Sequence, residues 1–354
     1  MTAPAHRTIR ATGPDDLLAM VPFLLGFHPE RSLVLMTIGR ARTPVHARQD
    51  LPDDPAEVPE LVTELVTVAR RSGLARAAVV AYSDDPAGSD AVARALVEGL
   101  TGAGIEVPVA LRADGARWFC LGDSDASCPH ACPPDGTPYD ISRHPLTIEA
   151  LVEGRVVHAS RTALRDSLVA DDLAEVDRVG DAVEVAGDRL LAACVPASDP
   201  AAPPDPGLGR AHLVSEGRWL QHRVRRFVAD GLRLDSHDVG RLLVAVAAVE
   251  VRDVAWAEIT HQGAHRHVDL WRDVVRRAPH ETSAAPAALL AFAAWLSGDG
   301  ALAACALDVC QDAEPGYSLA GLLTQALAAG LPPDSWQPMP ESALTLFRGD
   351  RSGA

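Results

Sequence analysis

The chain has 354 residues, of which 47% are hydrophobic and 23% charged, a composition that is ordinary for folded domains and excludes a disordered chain. Its net charge of −16 argues against nucleic acid as a partner, because that affinity depends on neutralising phosphates. No lysine occurs, which excludes chemistry that needs a Schiff-base lysine or the lysine of a phosphate-binding loop.

Nothing in the sequence predicts a membrane span. The apolar run APAALLAFAAWL at 285–296 is too short to cross a bilayer. The first residues lack the apolar stretch of a signal peptide. We therefore expect a cytoplasmic protein with no membrane partner, in which the six cysteines are reduced unless they bind metal.

The first part of the chain predicts an α/β domain. A helix is expected to be capped by Thr12 and to end at Gly26, and two strands that can pair as a hairpin follow it. A helix over 56–71 precedes a βαβ unit made of the strand ARAAVVAYS, a helix capped by Ser89 and the strand IEVPVALRA. A short strand, ARWFC, then leads into a loop rich in cysteine and proline at 120–138. Because the strands of a βαβ unit are parallel, the sheet is expected to be mixed.

The rest of the chain predicts helices. The proline-rich segment 195–209 is typical of a linker, which places an α/β domain at 1–194 and an all-α domain at 210–354. Two similar segments of this second domain end at Pro279 and Pro315, a spacing close to the tetratricopeptide period of about 34 residues. Tetratricopeptide-like hairpins and an antiparallel bundle both fit this pattern.

The loop at 120–138 contains the cysteines of a possible zinc site. Cys128 and Cys132 have the spacing of a ligand pair, and Cys120 lies a little upstream. Three side chains could supply a fourth ligand: His130, His144 and Cys194. The redox spacing C-x-x-C is absent, and the alternative is a loop that its prolines make stiff, with no metal.

A second candidate site follows the first strand of the βαβ unit. Tyr82, Asp84 and Asp85 lie at a strand end, and ligands of open α/β sheets bind at the carboxyl ends of strands. His28, between the first helix and the first strand, offers a group for acid–base chemistry, and Arg161 at a helix start could bind an anion. The sequence therefore predicts a small polar ligand here, although each residue could equally belong to an ordinary loop or cap.

An ion pair would weaken this ligand hypothesis. Arg112 and Arg117 come from the following strands and could neutralise Asp84 or Asp85. The two acidic residues would then form a structural bridge rather than a site.

Four groups of residues resemble one known family. They are LLGFHPERSLVLM, ARWFC with CPPDGTPYD, GRVVHASRTALR, and the helical run from VRDVAWA to PGYSLAGLLTQALAAG. Together they resemble the actinobacterial family catalogued as domain of unknown function 4192. The resemblance spans almost the whole chain and implies a bacterial cytoplasmic protein with an α/β part joined to helices, and it implies no activity. Members of that family often carry two adjacent cysteines before the proline turn, where this chain has Ala131 and Cys132.

Three functions fit these observations. The first is a binding or scaffold module, with a polar ligand on the α/β domain and a protein partner on the helical domain. The second is a hydrolase or transferase with its site at Asp84 and Asp85, and the third is a structural subunit stabilised by zinc. We expect the first, because no complete catalytic set is visible and helical repeats usually serve in binding.

Overall fold

The computed structural model describes residues 13–39, 46–121, 132–152, 156–198 and 203–348. The chain divides into two compact units. Residues 1–164 with 326–332 form an α/β unit, and residues 165–325 with 333–354 form a helical unit. This division lies well before the proline-rich segment 195–209, at which the composition of the sequence predicts a linker between two domains.

The α/β unit contains a six-stranded sheet with the order β2-β1-β3-β4-β5-β6. The strands are β1 Ser32–Thr37, β2 His46–Asp50, β3 Arg76–Tyr82, β4 Glu106–Ala113, β5 Arg117–Cys120 and β6 Thr137–Pro138. β3 and β4 pair in parallel, and the other neighbouring strands pair antiparallel. The predicted mixed sheet, the βαβ unit and the pairing of the first two strands are therefore confirmed.

Helices cover the sheet of this unit. They are α1 Pro14–Leu25, α2 Val58–Arg71, α3 Pro86–Gly102 and α4 Pro145–Val152, and the short α5 Arg161–Asp166 lies at the unit's end. α2 and α3 pack on the sheet face that carries Leu33, Leu35 and Val79. Because side chains alternate along a strand, Tyr82 and Trp118 lie on the opposite face, where the Trp118 indole donates to Asp15 of α1 over 3.0 Å.

Helix caps account for most local differences from the expected structure. Gly26 ends α1 in the left-handed conformation at φ 74°, as predicted, whereas its N-cap is Gly13 and Thr12 lies outside the described residues. The prediction that Ser89 caps α3 is wrong. Asp85 is the cap and accepts from the Ala87 amide at 3.1 Å, and Ser89 lies inside the first turn.

The helical unit is built from α6 Leu173–Ala193, α7 Pro206–Asp230, α8 Ser236–Ala247, α9 Val249–Ala257, α10 Ala264–Arg277, α11 Ala284–Leu296, α12 Gly300–Ala313 and most of α13 Ser318–Ala328, whose residues 326–328 belong to the α/β unit. All residues of α11 are buried, which is expected of a central helix in a packed core. In the described part of the chain, no helix is both long and apolar enough to cross a membrane.

Two features of the helical unit explain why α6 belongs to it. Glu175 of α6 forms a buried ion pair with Arg277 of α10, and Gly240 of α8 lets that helix approach α6 closely at Ala182. Helices joined by a buried charge pair and a glycine contact share one core, so a proline-rich segment between α6 and α7 does not separate them.

Candidate functional site

A cavity of about 1030 Å³ opens in the α/β unit where β3 and β4 end. Its volume is large enough for a small organic ligand. The carboxyl ends of parallel strands are where open α/β sheets bind ligands, because the loops that follow each strand diverge there. The cavity therefore lies where this fold allows a site.

The floor of the cavity is buried and mostly apolar. Leu18 and Pro22 come from α1, and Pro29 comes from the connection to β1. Tyr82 and Ala113 are the last residues of β3 and β4 and are partners in the parallel register. The sheet therefore fixes the deepest part of the cavity rigidly.

The rim of the cavity is acidic. Within the described ranges, four carboxylates line it, from Glu30, Asp84, Asp114 and Asp140. Arg31 is the only arginine among the described lining residues, and it pairs with Asp53. Arg31 is also the only non-glycine residue in the described ranges with a positive φ, 42°, and backbone strain of this kind is often found at functional sites.

Two buried hydroxyls in the cavity wall lack hydrogen-bond partners in the described structure, those of Tyr82 and Thr147. Burial raises the pKa of Tyr82 well above its usual value, with a smaller contribution from Tyr139. The phenol therefore stays protonated and can donate. A buried hydroxyl without a partner costs roughly 1–3 kcal/mol, so each of these two groups is a candidate for a hydrogen bond to something outside the chain.

The structure brings together three of the five predicted ligand residues. Tyr82, Asp84 and His28 line the same cavity, although they come from different loops and strands. Asp85 does not line the cavity, because its carboxylate caps α3. Arg161 lies on α5 and is not among the lining residues.

The two arginines that could have neutralised Asp84 have other partners. The Nε atom of Arg112 lies 3.0 Å from Asp90 Oδ1, and its guanidinium stacks 3.9 Å from the Phe119 ring centroid. Arg117 donates to the carbonyl oxygens of residues 135 and 136, each over 3.0 Å. The carboxylate of Asp84 has no ion pair in the described structure, so the cavity keeps its negative charge.

Sequence reasoning missed the wall that follows β6. Tyr139, Asp140, Ile141 and Ser142 line the cavity, as does Thr147 of α4. Tyr139 and Asp140 end the CPPDGTPYD stretch, and the other three residues follow it. The turn residues of this stretch were visible in the sequence, but the direction of the chain after them was not. Asp114 was detectable, because it directly follows a buried strand in the same way as Asp84 does.

The cysteine loop is only partly described. Cys120 and Cys132 form a disulfide that links the end of β5 to the segment before β6. Cys128 and His130 lie outside the described residues. His144 Nε2 lies 3.0 Å from Asp16 Oδ1, and Cys194 lies in the helical unit. The predicted zinc site at Cys120, Cys128 and Cys132 thus stays a prediction, and a disulfide would exclude two of its sulfurs as ligands.

A metal and thiol analysis separates these alternatives. We expect protein purified without reductant or chelator to contain no zinc and to yield a disulfide-linked peptide pair containing Cys120 and Cys132 in non-reducing mass spectrometry. The variant Cys132→Ser should lose that link. About one equivalent of zinc per chain in the wild type, lost in Cys132→Ser, would instead establish the zinc site.

A group of three potential metal ligands lies elsewhere, in the helical unit: Asp235, His237 and Asp238. Each has a structural partner. Asp235 caps α8, Asp238 pairs with Arg223 at 2.8 Å, and His237 lies 3.1 Å from Arg189. This cluster is therefore explained as a helix cap and its ion pair.

The chain is a two-unit protein with a cavity of about 1030 Å³ on its α/β unit. The family model described as Domain of unknown function (DUF4192) matches residues 14–334. The chain belongs to that family. Comparison with curated proteins and with solved structures found no match.

Proposed function

We propose that this protein is a binding module whose α/β unit holds a small polar ligand in the cavity at the ends of β3 and β4. The observation that carries the proposal is the pair of buried, unpartnered hydroxyls of Tyr82 and Thr147 in the wall of a ligand-sized cavity. Buried polar groups are nearly always hydrogen-bonded. A ligand, or the water it displaces, would satisfy them.

A hydrolase or transferase is the alternative, and the cavity supports it less well. Ser83 is a cavity-lining hydroxyl next to Asp84. Its Oγ accepts from the Asp85 amide at 3.0 Å and lies 3.3 Å from the Asp85 carbonyl oxygen. A nucleophilic serine needs a neighbouring base to accept its proton, whereas this hydroxyl is used to shape the loop. Binding is therefore the better-supported function.

The scaffold part of the proposal concerns the helical unit. α11 is buried on every side, which suits a bundle better than an open tetratricopeptide-like array. A protein partner would therefore contact the outer helices. On α6, Leu173 and Leu191 are exposed apolar side chains that would suit such a contact.

Adjacent carboxylates provide a matched test of the ligand site. Asp84 lines the cavity and Asp85 caps α3, so the two side chains have separable roles. Wild-type protein incubated with a bacterial metabolite extract should retain a small-molecule adduct in native mass spectrometry. We expect Asp84→Asn to lose this adduct with an unchanged melting temperature.

The variant Asp85→Ala should behave in the opposite way. It is expected to keep the adduct and to lose about 0.5–2 kcal/mol of stability, because it removes a helix cap. The proposal fails if the wild type retains no adduct, or if Asp84→Asn retains it as fully as the wild type does.

A further inference from the structure

The charge around the cavity determines which ligands it can accept. In the described part of its lining, four carboxylates face one arginine, and that arginine is already paired with Asp53. Hydrogen bonds from the Ser142 side chain and amide lower the pKa of Asp140, so its carboxylate is ionised at neutral pH. A cavity of one sign concentrates ligands of the opposite charge and repels its own. Phosphates and carboxylates are therefore poor ligands for it.

The spacing of these carboxylates does not suit a metal ion. A metal needs several ligand atoms close to one another, and in the described residues the only such group of three is Asp235, His237 and Asp238 in the helical unit. Among the described cavity residues, no three carboxylates therefore bring their oxygens to one point. Separate carboxylates of this kind suit an organic cation, because each carboxylate can accept a hydrogen bond from one of its N–H groups.

The floor suits an apolar body beneath that charge. Leu18 and Pro22 are buried there, and Phe23 and Ile141 are half-buried in the walls. Phe23 and Tyr139 also offer aromatic faces, which attract cations. An inorganic cation would leave this apolar surface unused.

A second, independent feature points to a ligand in the same cavity. Tyr82 is only 8% exposed, lines the cavity and has a hydroxyl without a partner. Its position at the end of β3 is fixed by pairing on both sides, to Ser32 and to Ala113. The sheet thus holds the backbone of Tyr82 in place beside the cavity, and a ligand atom that reached its buried hydroxyl would give that hydroxyl a partner.

We propose that the cavity selects an amphipathic organic cation, in which an amine or guanidinium group is carried on an apolar or aromatic body. The cationic group would lie at the acidic rim, to which Glu30, Asp84 and Asp140 contribute, and the body would lie on the α1 floor. This inference rests on the proposed function and specifies its ligand class.

Three compounds with one skeleton test the inference by isothermal titration calorimetry on the full chain. They are 3-phenylpropylamine, 3-phenylpropanol and 3-phenylpropanoate, which differ mainly in charge. We expect the amine to bind at least about tenfold more tightly than the alcohol, a difference of roughly 1.4 kcal/mol, and the carboxylate not to bind. Asp84→Asn and, separately, Glu30→Gln should each weaken amine binding by about tenfold, whereas Asp85→Ala should not.

Several outcomes would overturn the inference. Equal affinity for amine and alcohol, or tighter binding of the carboxylate, would show a cavity that does not select cations. Displacement of the amine by calcium chloride at equal concentration would show a metal site. If none of the three compounds binds but an adduct from the metabolite extract persists, the ligand class is wrong and the binding function stands.

Discussion

Substituting Arg277 by methionine is expected to lower the free energy of unfolding by about 3–5 kcal/mol, because it removes the buried arginine that pairs with the buried Glu175 carboxylate. Arg277 is 4% exposed and Glu175 is 9% exposed. The guanidinium donates to Glu175 Oε1 from Nη2 at 2.6 Å and from Nε at 2.8 Å. It also donates to the Leu234 carbonyl and to Asp273, each at 2.8 Å, so one substitution removes four hydrogen bonds.

Arg178 provides the matched control for this prediction. It binds the same carboxylate, at 2.7 Å from Oε2, but its side chain is 55% exposed. Because exposed ion pairs contribute little, Arg178→Met should cost less than about 1 kcal/mol. Urea unfolding of both variants at pH 7 measures the difference. Equal losses would mean that burial of the pair does not determine its contribution.

The same ion pair predicts a dependence of stability on pH. Burial alone would raise the pKa of Glu175, but hydrogen bonds from Arg277, Arg178 and Ser236 outweigh it and lower the pKa from 4.5 to about 2. A carboxyl whose pKa is lowered by folding stabilises the folded state above its unfolded pKa. This contribution is therefore complete above pH 4.5 and is lost as the pH falls towards 2. Unfolding at pH 7, 4.5 and 3 should show the decline in the wild type and a weaker one in Arg277→Met.

The sequence identified those residues of the cavity lining that depend on short-range patterns. Tyr82 and Asp84 were found because a buried strand followed by acidic residues indicates a sheet edge, and the structure places both in the cavity. Thr147 and Tyr139 were missed because they line the cavity only as a result of the direction that the chain takes after β6. That path depends on packing between distant segments, which periodicity and composition do not report.

The prediction of helix caps from sequence met a similar limit, here within a few residues. Ser89 and Asp85 both have side chains that can cap a helix, and the prediction of Ser89 was wrong. Pro86 indicated the correct cap. Proline favours the first helical position, so the residue before it is expected to be the cap. The structure confirms Asp85 as the cap of α3. The error matters for function, because a capping carboxylate is not available to a ligand.

The division into compact units differs from the predicted boundary for a long-range reason. A proline-rich segment indicates a linker only if few contacts cross it, and contacts are not visible in local composition. Glu175 and Arg277 bond across a separation of 102 positions. That pair joins α6 to the helices beyond the segment, so α6 is part of the helical unit.

Substituting Gly240 by valine is expected to cost about 3 kcal/mol of stability by overpacking the contact between α8 and α6. A Cβ atom at Gly240 would lie 2.5 Å from the Cβ of Ala182, 2.7 Å from its carbonyl carbon and 2.8 Å from the amide nitrogen of Val183. Two of these atoms are backbone, so the helices themselves must separate. Even Gly240→Ala should destabilise the protein, although alanine is the better helix former by about 1 kcal/mol.

Gly187 supplies the control, because it lies on α6 and a Cβ atom added there would have no described neighbour within 4 Å. Gly187→Ala should therefore raise stability by about 0.5–1 kcal/mol through helix propensity alone. Thermal unfolding of the two alanine variants then gives opposite signs if α6 packs on α8 as one core. A stabilising Gly240→Ala would show that the two helices are not in contact. In that case α6 would belong with the residues before it, and the division at 195–209 would be restored.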